Sequence, residues 1–233
     1  MLITRPLEDS RAVAAQLESD GIETLIWPLT AIRPVATAIA VPPLVDGLLF
    51  TSAHGARAFA ALSQRRDLPA LCVGHRTAEI ARQLGFAAVP SGGDAAALAR
   101  MAVGSGLRHF FHPRGRDTTG DLPGQLQTSG QRVSEAVVYA AEETGPPPAP
   151  VAHALASGRI AAIGFWSPRN ARIFARHRAD GLAMAHAIHA VVISPRAADP
   201  LAAAGFDGVV TAAKPEGGAM LDALRAIAGT PHA

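Results

Sequence analysis

The 233 residues are enough for one large domain or two small ones, each with its own core. Hydrophobic residues make up 49% and charged residues 17%, and no apolar run approaches the ~18 residues a membrane-spanning helix needs. Net charge is +2, but 20 of the 21 basic residues are arginine; with no basic run and 5% aromatics, nucleic acid is not an expected partner. The arginine bias reads either as codon usage or as a polyanionic ligand, since the guanidinium fork matches carboxylates and phosphates. The opening Met1-Leu2-Ile3-Thr4-Arg5-Pro6 lacks the basic and then apolar regions of a secretory signal, so a cytoplasmic protein without membrane contact is expected. Cys72 is single, in the apolar run Leu71-Cys72-Val73, and reads as a packed thiol rather than part of a disulfide framework.

Leu2-Ile3-Thr4 reads as a strand, Val13 and Leu17 mark a helix stopping at Gly21, and Ile22 to Leu29 a second strand. Thr30 to Pro43, with three prolines and no helical period, reads as a connector, either extended or irregular. Leu48-Leu49-Phe50 is a buried strand that ends at Thr51-Ser52, and Ala56, Phe59 and Ala60 open a helix. Leu71 to Gly74 is a strand, Arg76-Thr77 opens a helix ending at Gly85, and a strand from Phe86 to Val89 precedes a helix capped by Asp94. Phe110-Phe111 is a strand ending at Pro113-Arg114-Gly115-Arg116, followed by a helix through Leu122 and Leu126 and a strand from Val133 to Tyr139. The proline-rich 145–150 reads as an exposed connection, incompatible with helix or sheet interior. Ile160 to Phe165, Val191 to Ile193 and Val209-Val210 are strands, with helices after Ser167, after Ser194 and over Ala219 to Ile227.

The chain repeats itself. Phe50, Ser52, Ala56, Arg57, Phe59 and Ala60 recur as Phe165, Ser167, Ala171, Arg172, Phe174 and Ala175, all at one offset. Gln16-Leu17-x-x-x-Gly21 returns as Gln125-Leu126-x-x-x-Gly130, and Leu84-Gly85-Phe86 resembles Ala204-Gly205-Phe206. Strands alternating with helices predict an α/β fold of parallel sheets covered on both faces, with ligands beyond the carboxyl ends of the strands. Those ends carry Thr4-Arg5, Thr51-Ser52, Arg76-Thr77, Arg114-Gly115, Ser167 and Ser194 to Arg196.

No GxGxxG, P-loop lysine or nucleophile-elbow glycine pattern is present. His109 and His112, like His186 and His189, are three apart, but the first pair brackets a strand, so no metal site is expected. Ser52 and Ser167 read either as helix caps or as ligand-facing hydroxyls, and Tyr139 either as a half-buried aromatic or as a functional phenol.

Thr4-Arg5-Pro6, Phe50-Thr51-Ser52, Val73-Gly74-x-x-Thr77-Ala78, Pro113-Arg114-Gly115, Val138-Tyr139 and Phe165-x-Ser167-Pro168 fall in an order that resembles the uroporphyrinogen-III synthase family. The resemblance implies two flavodoxin-like parallel-sheet lobes joined by a two-stranded extended linker. One lobe takes 1–34 plus 146–233 and the other 39–138, with linkers over 32–38 and 139–145. The repeat by itself suggests a cut near residue 105 instead. The resemblance further implies a hydro-lyase of haem or sirohaem synthesis that closes hydroxymethylbilane with inversion of ring D, through a spiro intermediate and without a cofactor. Tyr139 would assist departure of the hydroxyl. Ser52, Thr77, Gly115 and Ser167 would line the substrate site, and Arg5, Arg114 and Arg196 would face its carboxylates. A monomer meeting the preceding pathway enzyme only transiently is expected. Where the family has Gly-Pro-x-Thr-Ala, this chain has Ser194-Pro195-Arg196-Ala197-Ala198, which keeps open the alternative of a non-catalytic tetrapyrrole or anion-binding relative.

Overall fold

Strands and helices alternate throughout the computed structural model, which describes residues 1–118 and 120–229. The first stretch runs β1 (Leu2–Ile3), α1 (Leu7–Ser19), β2 (Leu25–Ile26) and β3 (Thr30–Pro34). Then come β4 (Gly47–Phe50), α2 (Ala53–Leu62), β5 (Ala70–Cys72), α3 (His75–Gln83), β6 (Ala88–Pro90) and α4 (Ala95–Gly104). They are followed by β7 (His109–Gly115), α5 (Leu122–Gln127), β8 (Arg132–Glu143) and α6 (Ala149–Ala156). The rest is β9 (Ala162–Phe165), α7 (Pro168–Ala179), β10 (His189–Val192), α8 (Pro195–Ala198), a 3-10 turn (Asp199–Leu201), β11 (Gly208–Thr211) and α9 (Gly217–Ala228).

Two compact units divide the chain: Met1–Ala31 with Glu142–Ala233, and Ile32–Ala141. The chain enters the second unit inside β3 and returns to the first inside β8. In the first unit, a parallel sheet has the order β11-β10-β9-β1-β2. In the second, β8-β7-β4-β5-β6 pair in parallel, with β3 added beside β8. Numbered along the chain the sheets differ, 2-1-3-4-5 in the first unit and 3-2-1-4-5 in the second. Numbered from the strands that carry the repeated serine corner, β4 and β9, the two orders become identical, so the first unit is a circular permutation of the second. This explains why the glutamine-leucine-glycine echo pairs α1 with α5 although α1 opens the chain.

Each sheet is buried on both faces, as its unbroken apolar strands require. In the first unit Trp27, Phe165 and Phe174 pack on one face, and Ile3, Leu17, Val191 and Leu224 on the other. In the second unit Phe50, Phe59, Phe86 and Phe111 form one layer, and Leu49, Leu98, Phe110 and Leu126 the other. Cys72 is fully buried in the first of these layers, where burial pushes its thiol up to about 11.

Several elements depart from the sequence expectation. The connector from Thr30 contains β3, whose proline stands at the strand end, where a missing N–H breaks no ladder bond. The proline-rich 145–150 runs into α6, because Pro150 occupies the first turn, where helices tolerate proline. β8 continues four residues past Tyr139, to Glu143. After Ser194 there is only the four-residue α8 and a 3-10 turn, since Pro200 interrupts regular helix bonding.

Candidate active site

In the second unit the strand order reverses between β4 and β7, the position at which open α/β sheets form a ligand crevice. β4 is followed directly by Thr51 and Ser52, and β7 ends in Gly115. Ser52 is the N-cap of α2: its Oγ accepts the Gly55 N–H at 3.0 Å. Gly55 is required by close approach, since a Cβ there would sit 2.8 Å from the Pro113 carbonyl oxygen.

Tyr139 reaches this corner from β8. Between Arg114 and Gly115 the β7–β8 register shifts, so that Gly115 pairs with Tyr139 and one residue of β8 is skipped. Such an irregularity re-aims a side chain. The ring then lies where a side chain on Gly115 would stand; a Cβ on Gly115 would be 2.8 Å from Tyr139 Cζ and 3.0 Å from Oη. Tyr139 Oη and Ser52 Oγ are 2.9 Å apart. Burial raises the Tyr139 pKa above its ordinary value, only partly offset by the Ser52 hydrogen bond, so the phenol keeps its proton at neutral pH.

A cavity of about 270 Å³ opens here, lined among others by Thr51, Ser52, His112, Gly115, Glu135 and Tyr139. His112 is buried, with Nδ1 3.1 Å from Glu135 Oε1 and Nε2 3.1 Å from Thr51 Oγ1. Burial, outweighing Glu135, holds the imidazole below the usual histidine range. The larger groove, about 530 Å³ along α7, is lined by Arg172, Arg176, Glu143 and mostly apolar atoms, and Arg176 is paired with Glu143. It contains no hydroxyl or phenol, so the smaller cavity is the candidate.

Of the expected site residues, Ser52, Gly115 and Tyr139 meet at this cavity. Thr77 is buried in the first turn of α3 and does not line it. Arg114 turns to the protein: Nε is 2.9 Å from Glu135 Oε1, and an Nη donates to the Gly115 carbonyl at 3.0 Å. In the first unit Arg5 pairs with buried Asp9 at 2.8 Å and lies 5.5 Å over the Trp166 ring. Ser167 caps α7, accepting the Asn170 N–H at 3.1 Å, and Arg196 is exposed on α8. From the sequence Thr51 stood only among the strand-end residues, His112 only as half of a rejected metal pair, and Glu135 in neither. Register was the missing signal, because His112 on β7 is paired directly with Glu135 on β8. Among the described residues no cluster of histidine, cysteine or carboxylate side chains could hold a metal, and no helix is long and apolar enough to cross a membrane.

The geometry has clear relatives. Residues 11–222 match the family model described as uroporphyrinogen-III synthase HemD. The uroporphyrinogen-III synthetase of Helicobacter pylori superposes with a TM-score of 0.64 at 18% identity, covering 88% of this chain and 93% of that one. A mutant uroporphyrinogen III synthase from Thermus thermophilus gives 0.52 at 18% identity, covering 97% and 98%. No curated protein matches. With the match running over nearly its whole length, the chain belongs to the uroporphyrinogen-III synthase family.

Proposed function

We propose that this protein closes hydroxymethylbilane to uroporphyrinogen III, with Tyr139 as the group that assists loss of water. The observation that carries the proposal is the neutral, half-buried Tyr139 hydroxyl, fixed at the switch point by Gly115 and Ser52. For Tyr139 to donate outward, its oxygen accepts the Ser52 hydroxyl proton, while Ser52 in turn accepts the Gly55 N–H. The phenol proton then goes to the departing hydroxyl, which leaves as water, and the bilane becomes an azafulvenium cation. The substituted carbon of ring D attacks the cationic carbon to give the spiro intermediate, which fragments and recloses with ring D inverted. The proton lost as the pyrrole regains aromaticity returns to the phenolate, so the enzyme ends as it began. Uncatalysed closure gives the type I isomer, so much of the enzyme's contribution lies in holding one conformation.

The reading extends to two flavodoxin-like lobes, 1–34 with 146–233 and 39–138, joined by extended segments 32–38 and 139–145. The shared strand order counted from the serine corners supports it. Arg5, Thr77, Ser167 and Arg196 are assigned to orienting the substrate and binding its carboxylate side chains, and Arg114, through Glu135, to supporting the Tyr139 site. The protein acts as a monomer in the cytoplasm and meets the enzyme that supplies the bilane transiently.

The test generates hydroxymethylbilane in situ, adds the protein and separates the oxidised porphyrins by isomer. Type III product above the enzyme-free control is expected. Type I alone, with saturable tetrapyrrole binding, would establish a non-catalytic relative instead.

A further inference from the structure

The Tyr139 cavity is lined by three polar groups to which the proposed reaction gives no step, Glu135, His112 and Thr51, and Arg114 holds Glu135 from beside it. Its hydrogens can be assigned from chemistry. A carboxylate oxygen only accepts, so the proton between Glu135 Oε1 and His112 Nδ1 is on Nδ1. Oε1 also receives Arg114 Nε at 2.9 Å, so a fixed positive charge already serves that carboxylate. His112 is 3% exposed, and a second cation there would be both desolvated and repelled by Arg114. The ring is therefore the neutral Nδ1–H form, and Nε2 offers a lone pair. Thr51 Oγ1, 3.1 Å from Nε2, must donate its only hydrogen to it. What Thr51 has left for the cavity is acceptor lone pairs.

Apart from the Tyr139 phenol, which donates, the charged groups lining the cavity share this polarity. Glu135 and Asp117 line it, and the adjacent cation, Arg114, is bound to Glu135 and to backbone carbonyls. A rim of this kind repels substrate carboxylates and suits N–H donors and developing positive charge. On a linear tetrapyrrole the N–H donors are the pyrrole nitrogens, and the one beside the departing hydroxyl gains positive charge as the azafulvenium forms.

We propose that Glu135 and His112 fix Thr51 as an obligate acceptor, and that Thr51 takes the pyrrole N–H of the ring whose hydroxyl leaves. This assignment rests on the synthase reading and specifies which part of the substrate enters the cavity. Thr51 touches the substrate, whereas His112 and Glu135 are positioning residues. Because the bond strengthens as charge develops, it acts mainly on kcat.

Thr51→Val, which removes the oxygen at nearly constant shape, is expected to lower kcat about tenfold with little change in KM, matching one charge-assisted hydrogen bond. Thr51→Ser, which keeps the oxygen, is expected to stay within about twofold, and thermal melts of both variants report whether the fold is kept. Independently of turnover, long-range 15N NMR of His112 is expected to show a proton on Nδ1 and a bare Nε2. His112→Phe frees the Thr51 hydroxyl to rotate but keeps its oxygen, and is expected to lower kcat by less than Thr51→Val does. An Nε2–H tautomer, or Thr51→Val with wild-type kcat in an active enzyme, overturns the assignment alone. Wild-type protein that forms no type III isomer overturns the synthase reading and the pyrrole assignment together.

Discussion

Gly115→Ala tests whether the fold was shaped to hold one phenol. A Cβ at Gly115 would stand 2.8 Å from Tyr139 Cζ and 3.0 Å from Cε2 and Oη. Carbon atoms in ordinary contact are about 3.5–4.0 Å apart, so the ring must retreat by roughly 1 Å. The 2.9 Å bond between Tyr139 Oη and Ser52 Oγ would then stretch to nearly 4 Å, past hydrogen-bond reach. Misplacing a catalytic group by about 1 Å costs on the order of 10²-fold in rate, the same order as removing a general acid. Stability should fall less in proportion, by about 1–3 kcal/mol for the overpacking, because the ring borders an open cavity into which it can swing. The assay is type III formation from bilane supplied in situ, with a thermal melt of each variant. Tyr139→Phe should lose about the same factor while keeping its fold. Since both changes act through one hydroxyl, the double variant Gly115→Ala/Tyr139→Phe should be no slower than Tyr139→Phe alone. Two losses that multiply in the double variant would refute the view that Gly115 acts by seating Tyr139.

Ser52→Ala removes both the α2 cap and the phenol's partner. It should cost about 1 kcal/mol in urea unfolding as well as most of the turnover, whereas Ser52→Gly should recover much of the stability and none of the rate. Burial raises the Cys72 thiol to about 11, so iodoacetamide should leave the native chain unlabelled near pH 8 and label it once urea unfolds it. Labelling at equal rates in both states, read by mass spectrometry, would contradict that burial. Burial depresses the His112 pKa in the folded state below the unfolded value of about 6.5. The unfolded chain therefore binds more protons as pH falls through that value, so the stability His112 contributes is complete above it and is lost towards the lower folded pKa. Urea midpoints at about pH 7.5 and 5.5 should differ more for wild type than for His112→Phe, and an equal difference would remove His112 as the source.

Much of this could be read from the residues, and the gaps have physical causes. The serine corners were legible because an apolar strand, a capping hydroxyl and a helical spacing each leave a local signal, at Phe50-Thr51-Ser52 and again at Phe165-Trp166-Ser167. α6 was hidden because proline breaks a helix interior yet suits its first turn, and Pro150 occupies that turn. Ala141, Glu142 and Glu143 have no strand signature of their own, so only the family resemblance pointed to extended chain beyond Tyr139. The Glu135–His112–Thr51 chain joins three strands, and only the β7–β8 register brings Glu135 to His112. Arg114, from residue type, suggested a carboxylate ligand, but its nearest acceptors are Glu135 and the backbone.

The permuted duplication gives each unit the same switch point, β4 beside β7 in the second and β9 beside β1 in the first, and the two copies have been put to different uses. In the first unit the corner is tied to backbone. Thr4, fully buried, donates to the Gly164 carbonyl at 2.6 Å, and the Asn170 side chain donates to the Thr4 carbonyl at 2.8 Å. The Trp166 ring lies over Gly164, where no side chain could fit. In the second unit Ser52, half-buried and capping its helix as Ser167 does, has a phenol beside it as a second partner. A buried threonine hydroxyl that donates to a carbonyl has no proton left to give, whereas a serine bonded to a neutral tyrosine at a cavity makes that tyrosine a proton donor. The chain has one tyrosine, so only one of its two corners can have this chemistry, and the irregular register at Gly115 brings the tyrosine to that corner.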